Sequence, residues 1–312
     1  RIRHLEPQHL VMTHGRPISG QSVVAGCVRD YRDALQYAYD QTIRGINQGL
    51  GPERLARTVK LPAPLAESRL TGQFYGEVAH HVRGIYAGLR GWWGLETAEL
   101  EAIDSAFEGE RIVAGFGGAE ALLAEVRIAL DRREYAWAAR LVSYRLNADP
   151  EDTEAAALKA AALRGMALGS PNTIARNFYL TEARRLEGQT TVRRSGRAPN
   201  LAEATIRGIP SLQLIEFLRY RVEPDIAAGK DMVMNLQLSD TGEIFGLHLR
   251  HSILEVVEGR LDRPQLDVAS EKVPWVRFCL GRSSADELQE HVEQLTETEP
   301  GTFEAWLSIF GI

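Results

Sequence analysis

Met232-Val233-Met234-Asn235-Leu236-Gln237-Leu238, a break at Ser239-Asp240-Thr241-Gly242-Glu243, then Ile244-Phe245-Gly246-Leu247-His248-Leu249 is the stretch that decides the fold class. Apolar and polar residues alternate with a period of two on both sides of an Asp-Thr-Gly turn, which is the pattern of a β-hairpin. Working outward, Ser252–Glu258 and Gln265–Ser270 read as a third and a fourth strand, followed by helices that begin at Lys272 and Ser284. Strands followed by segregated helices predict an α+β domain. Just before the hairpin, Ile209–Ile226 reads as one helix. Trp275, Phe278, Trp306 and Phe310 are either plain core or the walls of a lipid tunnel.

Upstream the period changes to that of helices. Ala119–Arg132, Tyr135–Ala148, Asp152–Leu168 and about Thr173 to Leu186 form alanine-rich helical segments. Asn147-Ala148-Asp149-Pro150 stops one helix, and Glu151-Asp152-Thr153-Glu154 starts the next with acids that suit its dipole. Short connections predict antiparallel neighbours. Tyr135-Ala136-Trp137-Ala138-Ala139 has the small-and-aromatic pattern of a tetratricopeptide hairpin, a usual device for protein contact. The polar segment Thr190–Pro199, with Arg193-Arg194-Ser195-Gly196-Arg197, reads as a solvated linker.

The first hundred residues mix both periods. Leu10–Met12 is a short apolar run that delivers Thr13-His14-Gly15-Arg16-Pro17 into a loop. Ser22–Gly49 and Pro52–Val59 read as helices, and Leu61-Pro62-Ala63-Pro64 demands an extended turn. A further helix is predicted over about Tyr75 to Gly88. Trp92 and Trp93, between Gly91 and Gly94, are a core anchor or the wall of an apolar pocket.

The bulk numbers narrow the function classes. The chain has 312 residues, 44% hydrophobic, with a formal charge of −6 and two cysteines. That is ample apolar material for packed cores, and it excludes collagen-like, disordered and disulfide-stapled classes. No basic run is long enough for a phosphate-backbone footprint, so nucleic acid is not an expected partner. No apolar stretch approaches the roughly 20 residues of a membrane span. Cys27 and Cys279 read as isolated buried thiols.

Eight histidines, at positions 4, 9, 14, 80, 81, 248, 251 and 291, allow metal motifs to be enumerated. There is no His-x-His, Cys-x-x-Cys or His-Glu-x-x-His, hence no self-contained zinc motif. In a strand His248 and His251 fall on opposite faces. His14, in a loop with Gly and Pro, has the fixed pose that a metal ligand needs, although a lone histidine is more often structural than a ligand. In Phe74-Tyr75-Gly76-Glu77-Val78-Ala79-His80-His81-Val82-Arg83, positions 76, 80 and 83 share a helical face. His80 and Arg83 are then either presented together to an anion such as sulfate or phosphate, or part of a wet face on which Arg83 pairs with Glu77 or Glu96.

His14-Gly15-Arg16-Pro17, Tyr31 to Thr42 (YRDALQYAYDQT), Leu61-Pro62, Phe74-Tyr75-Gly76 and His80 to Tyr86 (HHVRGIY) resemble, in order, the late part of the alkyl sulfatase family of metallo-β-lactamase-fold hydrolases. Asn172 to Leu180 (NTIARNFYL) resembles that family's dimerisation domain, and Asn235–Leu249 its sterol-carrier-protein-like C-terminal domain. The resemblance covers nearly the whole chain. It implies a fold that is mixed α+β and mostly α. Residues 1–100 would be the tail of a metallo-β-lactamase αββα domain, 101–189 a helical, tetratricopeptide-like dimerisation domain, and 200–312 a sterol-carrier-like α+β domain.

The same resemblance implies a chemistry. A binuclear zinc centre activates water, basic and hydroxyl side chains hold the sulfate, and an alkyl alcohol leaves, as with dodecyl sulfate. His14 corresponds to a late metal ligand, while Tyr75, His80 and Arg83 fall in the sulfate-binding region, His80 as the catalytic group and Tyr75 and Arg83 as substrate ligands. Most of the family's ligands, a His-x-His-x-Asp-His motif and two later carboxylates, are absent from this sequence. The chain is therefore expected to be the C-terminal portion of such an enzyme, inactive alone, with any signal peptide before Arg1 and the compartment open between cytoplasm and periplasm. Members show Tyr-His-Gly at the place of Phe74-Tyr75-Gly76, and Ser-His-His-Trp-Pro at the place of Thr13 to Pro17, so the substrate stays open. A homodimer through residues 119–186 and an apolar small-molecule ligand are the expected partners. The alternatives are a non-catalytic dimeric lipid carrier, or a same-fold hydrolase of another ester or a lactam.

Overall fold

The computed structural model describes residues 2–191 and 201–311, and the chain divides into two compact units, Arg1–Arg193 and Arg194–Ile312. The expected linker lies outside the described residues from 192 onward.

The first unit is helical apart from one small ribbon. β1 (His9–Leu10) pairs antiparallel with β2 (Ile18–Ser19), so the predicted strand is shorter than Leu10–Met12 and doubles back through His14. Buried Ile18 joins Val24 and Cys27 of the following helix beneath that turn. The long helix α1 (Gln21–Asn47) leads to α2 (Pro52–Thr58), α3 (Ala63–Ala66) and α4 (Val78–Arg90). α4 starts three residues later than the predicted Tyr75, because Phe74, Tyr75 and Gly76 belong to the preceding loop. Position 76 consequently does not share a helical face with His80 and Arg83. A core of Ala38, Leu55, Ala56, Val59, Val78, Val82 and Tyr86 joins α1, α2 and α4.

Five helices then form the predicted layer, α5 (Ser105–Gly115), α6 (Ala119–Asp131), α7 (Tyr135–Ala148), α8 (Thr153–Gly169) and α9 (Thr173–Leu186). α5 is one more than the sequence reading contained. Its N-cap is Asp104, whose carboxylate accepts from Ala106 and Phe107 N–H. The capping acid predicted before the third alanine-rich helix is Asp152, bonded to Ala155 N–H. Gly109 lets α5 approach α7 closely, since a Cβ there would lie 2.5 Å from the Tyr144 carbonyl oxygen.

The second unit opens with α10 (Glu203–Gly208), an addition to the sequence reading, and then has α11 (Ser211–Ile215) and α12 (Pro224–Ala227) in place of the single helix predicted over 209–226. Between α11 and α12 the chain tightens into a 3₁₀ segment, Glu216–Arg221, and Pro224 holds Glu223 in an extended conformation that a continuing helix does not allow. The hairpin is present as predicted: β3 (Met232–Leu238) and β4 (Ile244–Arg250). β5 (Ile253–Glu258) and β6 (Leu266–Ser270) are the other two expected strands, and β7 (Val292–Glu297) is an addition. β7 is a polar edge strand without apolar alternation. The sheet order is β5-β4-β3-β6-β7, with only β3 and β6 parallel among these pairs. Asn235 secures the crossover, accepting from Leu261 N–H at 2.8 Å and donating to its carbonyl at 3.2 Å.

α13 (Lys272–Cys279), α14 (Ala285–Gln289) and α15 (Thr302–Leu307) complete this unit. Trp275, Phe278, Trp306 and Phe310 are at most 1% exposed and pack on one another, with centroids 5.7–6.2 Å apart. They are core. Cys27 and Cys279 are both buried free thiols, and burial pushes the Cys279 thiol pKa up. His248 lies in β4, whereas His251 lies past its end at φ 52°, so the two do not sit on one strand as predicted.

Candidate functional site

Loop residues 71–77 bear the candidate residue Tyr75, and hydrogen bonds hold that loop more than burial does. At its start Thr71 donates its hydroxyl to the carbonyls of Leu65 and Ser68. Gln73 then uses its side-chain oxygen to accept from Val78 N–H at 2.8 Å, capping α4. In the middle, the Phe74 carbonyl accepts from both Thr173 N–H, at 2.7 Å, and Thr173 Oγ1, at 2.9 Å. At the end Gly76 sits against His81, where a Cβ would meet Nε2 at 2.6 Å.

This places Tyr75, 53% exposed, against His14, with ring centroids 5.1 Å apart and planes at 30°. The structure thus brings together two of the four residues singled out from sequence. His14 rides on the β1–β2 turn, where Gly15 takes φ +97°. His80 is exposed on the first turns of α4.

Arg83 is directed elsewhere. Its Nε and Nη2 donate to the two carboxylate oxygens of Glu53 at 2.8 and 2.7 Å, joining α4 to α2. The partner is Glu53 rather than the Glu77 or Glu96 expected on a wet face. The bond to Arg83 holds the Glu53 carboxyl below the usual range, and the same bond raises Arg83. Both side chains remain largely accessible, so the pair is of the exposed kind worth about 0–1 kcal/mol.

Beside the loop an open groove of about 440 Å³ runs between α1 and α4. Leu35, Tyr39 and Ile85 form its apolar walls, and Arg32, Gln36 and His81 its polar ones. His81 borders both groove and loop. Trp92 and Trp93 take no part in a core: Trp92 is 73% exposed, and Trp93 donates its indole N–H to the Glu96 carbonyl at 2.8 Å.

Among the described residues no three or more His, Cys, Asp and Glu side chains come together as a metal centre. They therefore do not supply the donor set of a two-zinc site. Thr173, Gln73, Glu53 and His81 were not picked out from sequence. Asn172-Thr173 is recognisable as a helix start, but nothing local reveals that its partner is Phe74.

A helical layer followed by an α+β domain has relatives among known proteins. Residues 52–189 match the alkyl sulfatase dimerisation family and residues 199–311 the alkyl sulfatase C-terminal family. The chain carries an alkyl sulfatase dimerisation domain and an alkyl sulfatase C-terminal domain. It is 30% identical over 266 residues to a linear primary-alkylsulfatase of a Pseudomonas species, covering 83% of this chain and 50% of that protein. It is 29% identical over 251 residues to the alkyl/aryl-sulfatase BDS1 of Saccharomyces cerevisiae, covering 80% and 38%. The stereoselective inverting sec-alkylsulfatase Pisa1 from Pseudomonas sp. shares the fold, with a TM-score of 0.86 and 24% identity over 97% of this chain and 48% of that one. The chain spans about half the length, or less, of the curated relatives it matches. No helix among the described residues is long and apolar enough to cross a membrane.

Proposed function

We propose that this chain serves an alkyl-sulfatase-type hydrolase, which cleaves sulfate esters of alkyl chains of the dodecyl sulfate type to an alcohol and sulfate. The observation that carries this reading is the pair of consecutive family matches, 52–189 and 199–311, on a chain 30% identical to an alkylsulfatase. In this reading residues 1–100 close a metallo-β-lactamase-type catalytic domain, 101–189 form the helical dimerisation layer, although the dimerisation-family match already begins at residue 52, and 200–312 form a sterol-carrier-like domain.

Tyr75 offers a hydroxyl to the sulfate, His80 a proton to the leaving oxygen, and Arg83 a planar fork. For Arg83 this requires the anion to displace Glu53, which an exposed pair permits at small cost. The α1–α4 groove takes the apolar tail. His14 would contribute one ligand to a zinc centre; the other ligands are not among the described residues, so the chain alone is expected to be inactive.

The helical layer carries the homodimer contact. Leu168, Ile174 and Phe178 are large apolar side chains left exposed on α8 and α9, and Trp137 on α7 is half exposed.

The test uses two proteins: this chain alone, and a hybrid joining it to the half of the Pseudomonas linear primary-alkylsulfatase that the match leaves uncovered. Dodecyl sulfate hydrolysis by the hybrid that falls with His14→Ala, Tyr75→Phe and His80→Ala supports the reading. Hydrolysis indifferent to all three contradicts it.

A further inference from the structure

We propose that Thr173 is a positioning residue for the Tyr75–His14 site, acting from the start of the helical layer through the Phe74 carbonyl. This rests on the reading of Tyr75 and His14 as site residues.

The loop needs such a device. Phe74 and Tyr75 are both more than half exposed, so burial fixes neither. The Phe74 carbonyl, however, lies in the same rigid peptide plane as the nitrogen and Cα of Tyr75. Orienting that carbonyl sets the direction in which Tyr75 leaves the loop. Thr173 orients it with two donors, one N–H at 2.7 Å and one hydroxyl at 2.9 Å, matching the two lone pairs of a carbonyl oxygen.

Those donors are themselves held in place. Thr173 is the first residue of α9, where a backbone N–H has no partner inside the helix and is free to bond outward. Asn172, 1% exposed, caps α9 by accepting from Ile174 and Ala175 N–H at 2.9 and 3.0 Å. Ser170 accepts from Asn172 N–H at 3.2 Å, and Arg176 returns to the Ser170 carbonyl at 2.6 Å. A capped helix start thus grips the loop at Phe74, between the bonds that hold its two ends. The consequence is that Tyr75 is set from α9, within the same 52–189 stretch that matches the dimerisation family.

The test reads the His14 ring by proton NMR on the full chain, with Tyr75→Leu giving the unstacked position and His14→Gln the assignment. Thr173→Val keeps shape and backbone N–H but loses the hydroxyl; Thr173→Ser keeps the hydroxyl. The expected result is that Thr173→Val moves the His14 signals part of the way toward the Tyr75→Leu position while Thr173→Ser leaves them at wild type. Signals unmoved in Thr173→Val, or moved equally in both variants, overturn the proposal. So does outright unfolding of Thr173→Val, because a positioning bond removes local order and not the fold. The readout involves no turnover, so this inference and the sulfatase reading fail separately.

Discussion

The His14 imidazole stacks on the Tyr75 ring at 5.1 Å with 30° between the planes, so two residues far apart in sequence share one surface. Stacked aromatic pairs contribute about 0.5–1.5 kcal/mol beyond the area they bury. Tyr75→Phe should therefore keep the His14 ring-current shift and lose only the hydroxyl, whereas Tyr75→Ala should abolish the shift. In the hybrid enzyme the Phe variant should lower kcat/KM about tenfold or more, the scale of one hydrogen bond to a charged group. Equal activity in Tyr75→Phe and wild type would remove the hydroxyl from the site.

Arg83 and Glu53 give variants of opposite sign. If sulfate displaces Glu53 from Arg83, Glu53→Gln should lower KM for an alkyl sulfate in the hybrid, and Arg83→Ala should raise it by about tenfold or more. Steady-state kinetics on the two variants decides the point. A rise in KM for both would make the pair a simple tie between α2 and α4.

The Asp152–Arg145 pair supplies a pH signature for the helical layer. Burial raises the Asp152 pKa, but the Ala155 N–H and the Arg145 guanidinium outweigh it, so the carboxyl ends below its usual 3.8. A lowered carboxyl stabilises the fold above its unfolded pKa and loses that contribution as pH falls through the folded one. Asp152→Asn keeps the cap and removes the charge beside Arg145, so it should cost about 0.5–1 kcal/mol near neutrality and progressively less below pH 3.8. Urea melts of both proteins at a series of pH values check this; a constant difference across the series contradicts it.

Phe178 is 72% exposed on α9, one turn from exposed Ile174. A charge placed there should break a homodimer without unfolding the layer, since Phe178 is not part of the intramolecular cores. Sedimentation should show a dimer for the wild type at micromolar concentration and a monomer for Phe178→Asp, with unchanged circular dichroism. A stable interface buries more than about 1,000 Å². A wild-type monomer would refute the dimer.

Much of the fold was legible because the pattern and the packing agree. The period-two runs around Asp240-Thr241-Gly242 became β3 and β4, and the Asp152 cap marked its helix. The misses have physical causes. β7 is a polar edge strand whose pairing with β6 leaves no apolar alternation to read. The helix expected over 209–226 broke at a proline and tightened into a 3₁₀ segment. Of the candidate site the sequence shows the residue types and not their partners, because Arg83–Glu53 and Phe74–Thr173 are tertiary contacts that local spacing does not encode.

The central claim is that this chain carries part of an alkyl-sulfatase site and that His14 is one of its zinc ligands. Zinc content and dodecyl sulfate turnover, measured together on the chain alone and on the hybrid, test it most directly. The account predicts no stoichiometric zinc and no turnover for the chain alone, with both present in the hybrid and both reduced by His14→Ala. Stoichiometric zinc with turnover in the isolated chain, or a hybrid whose zinc and activity ignore His14→Ala, would contradict it.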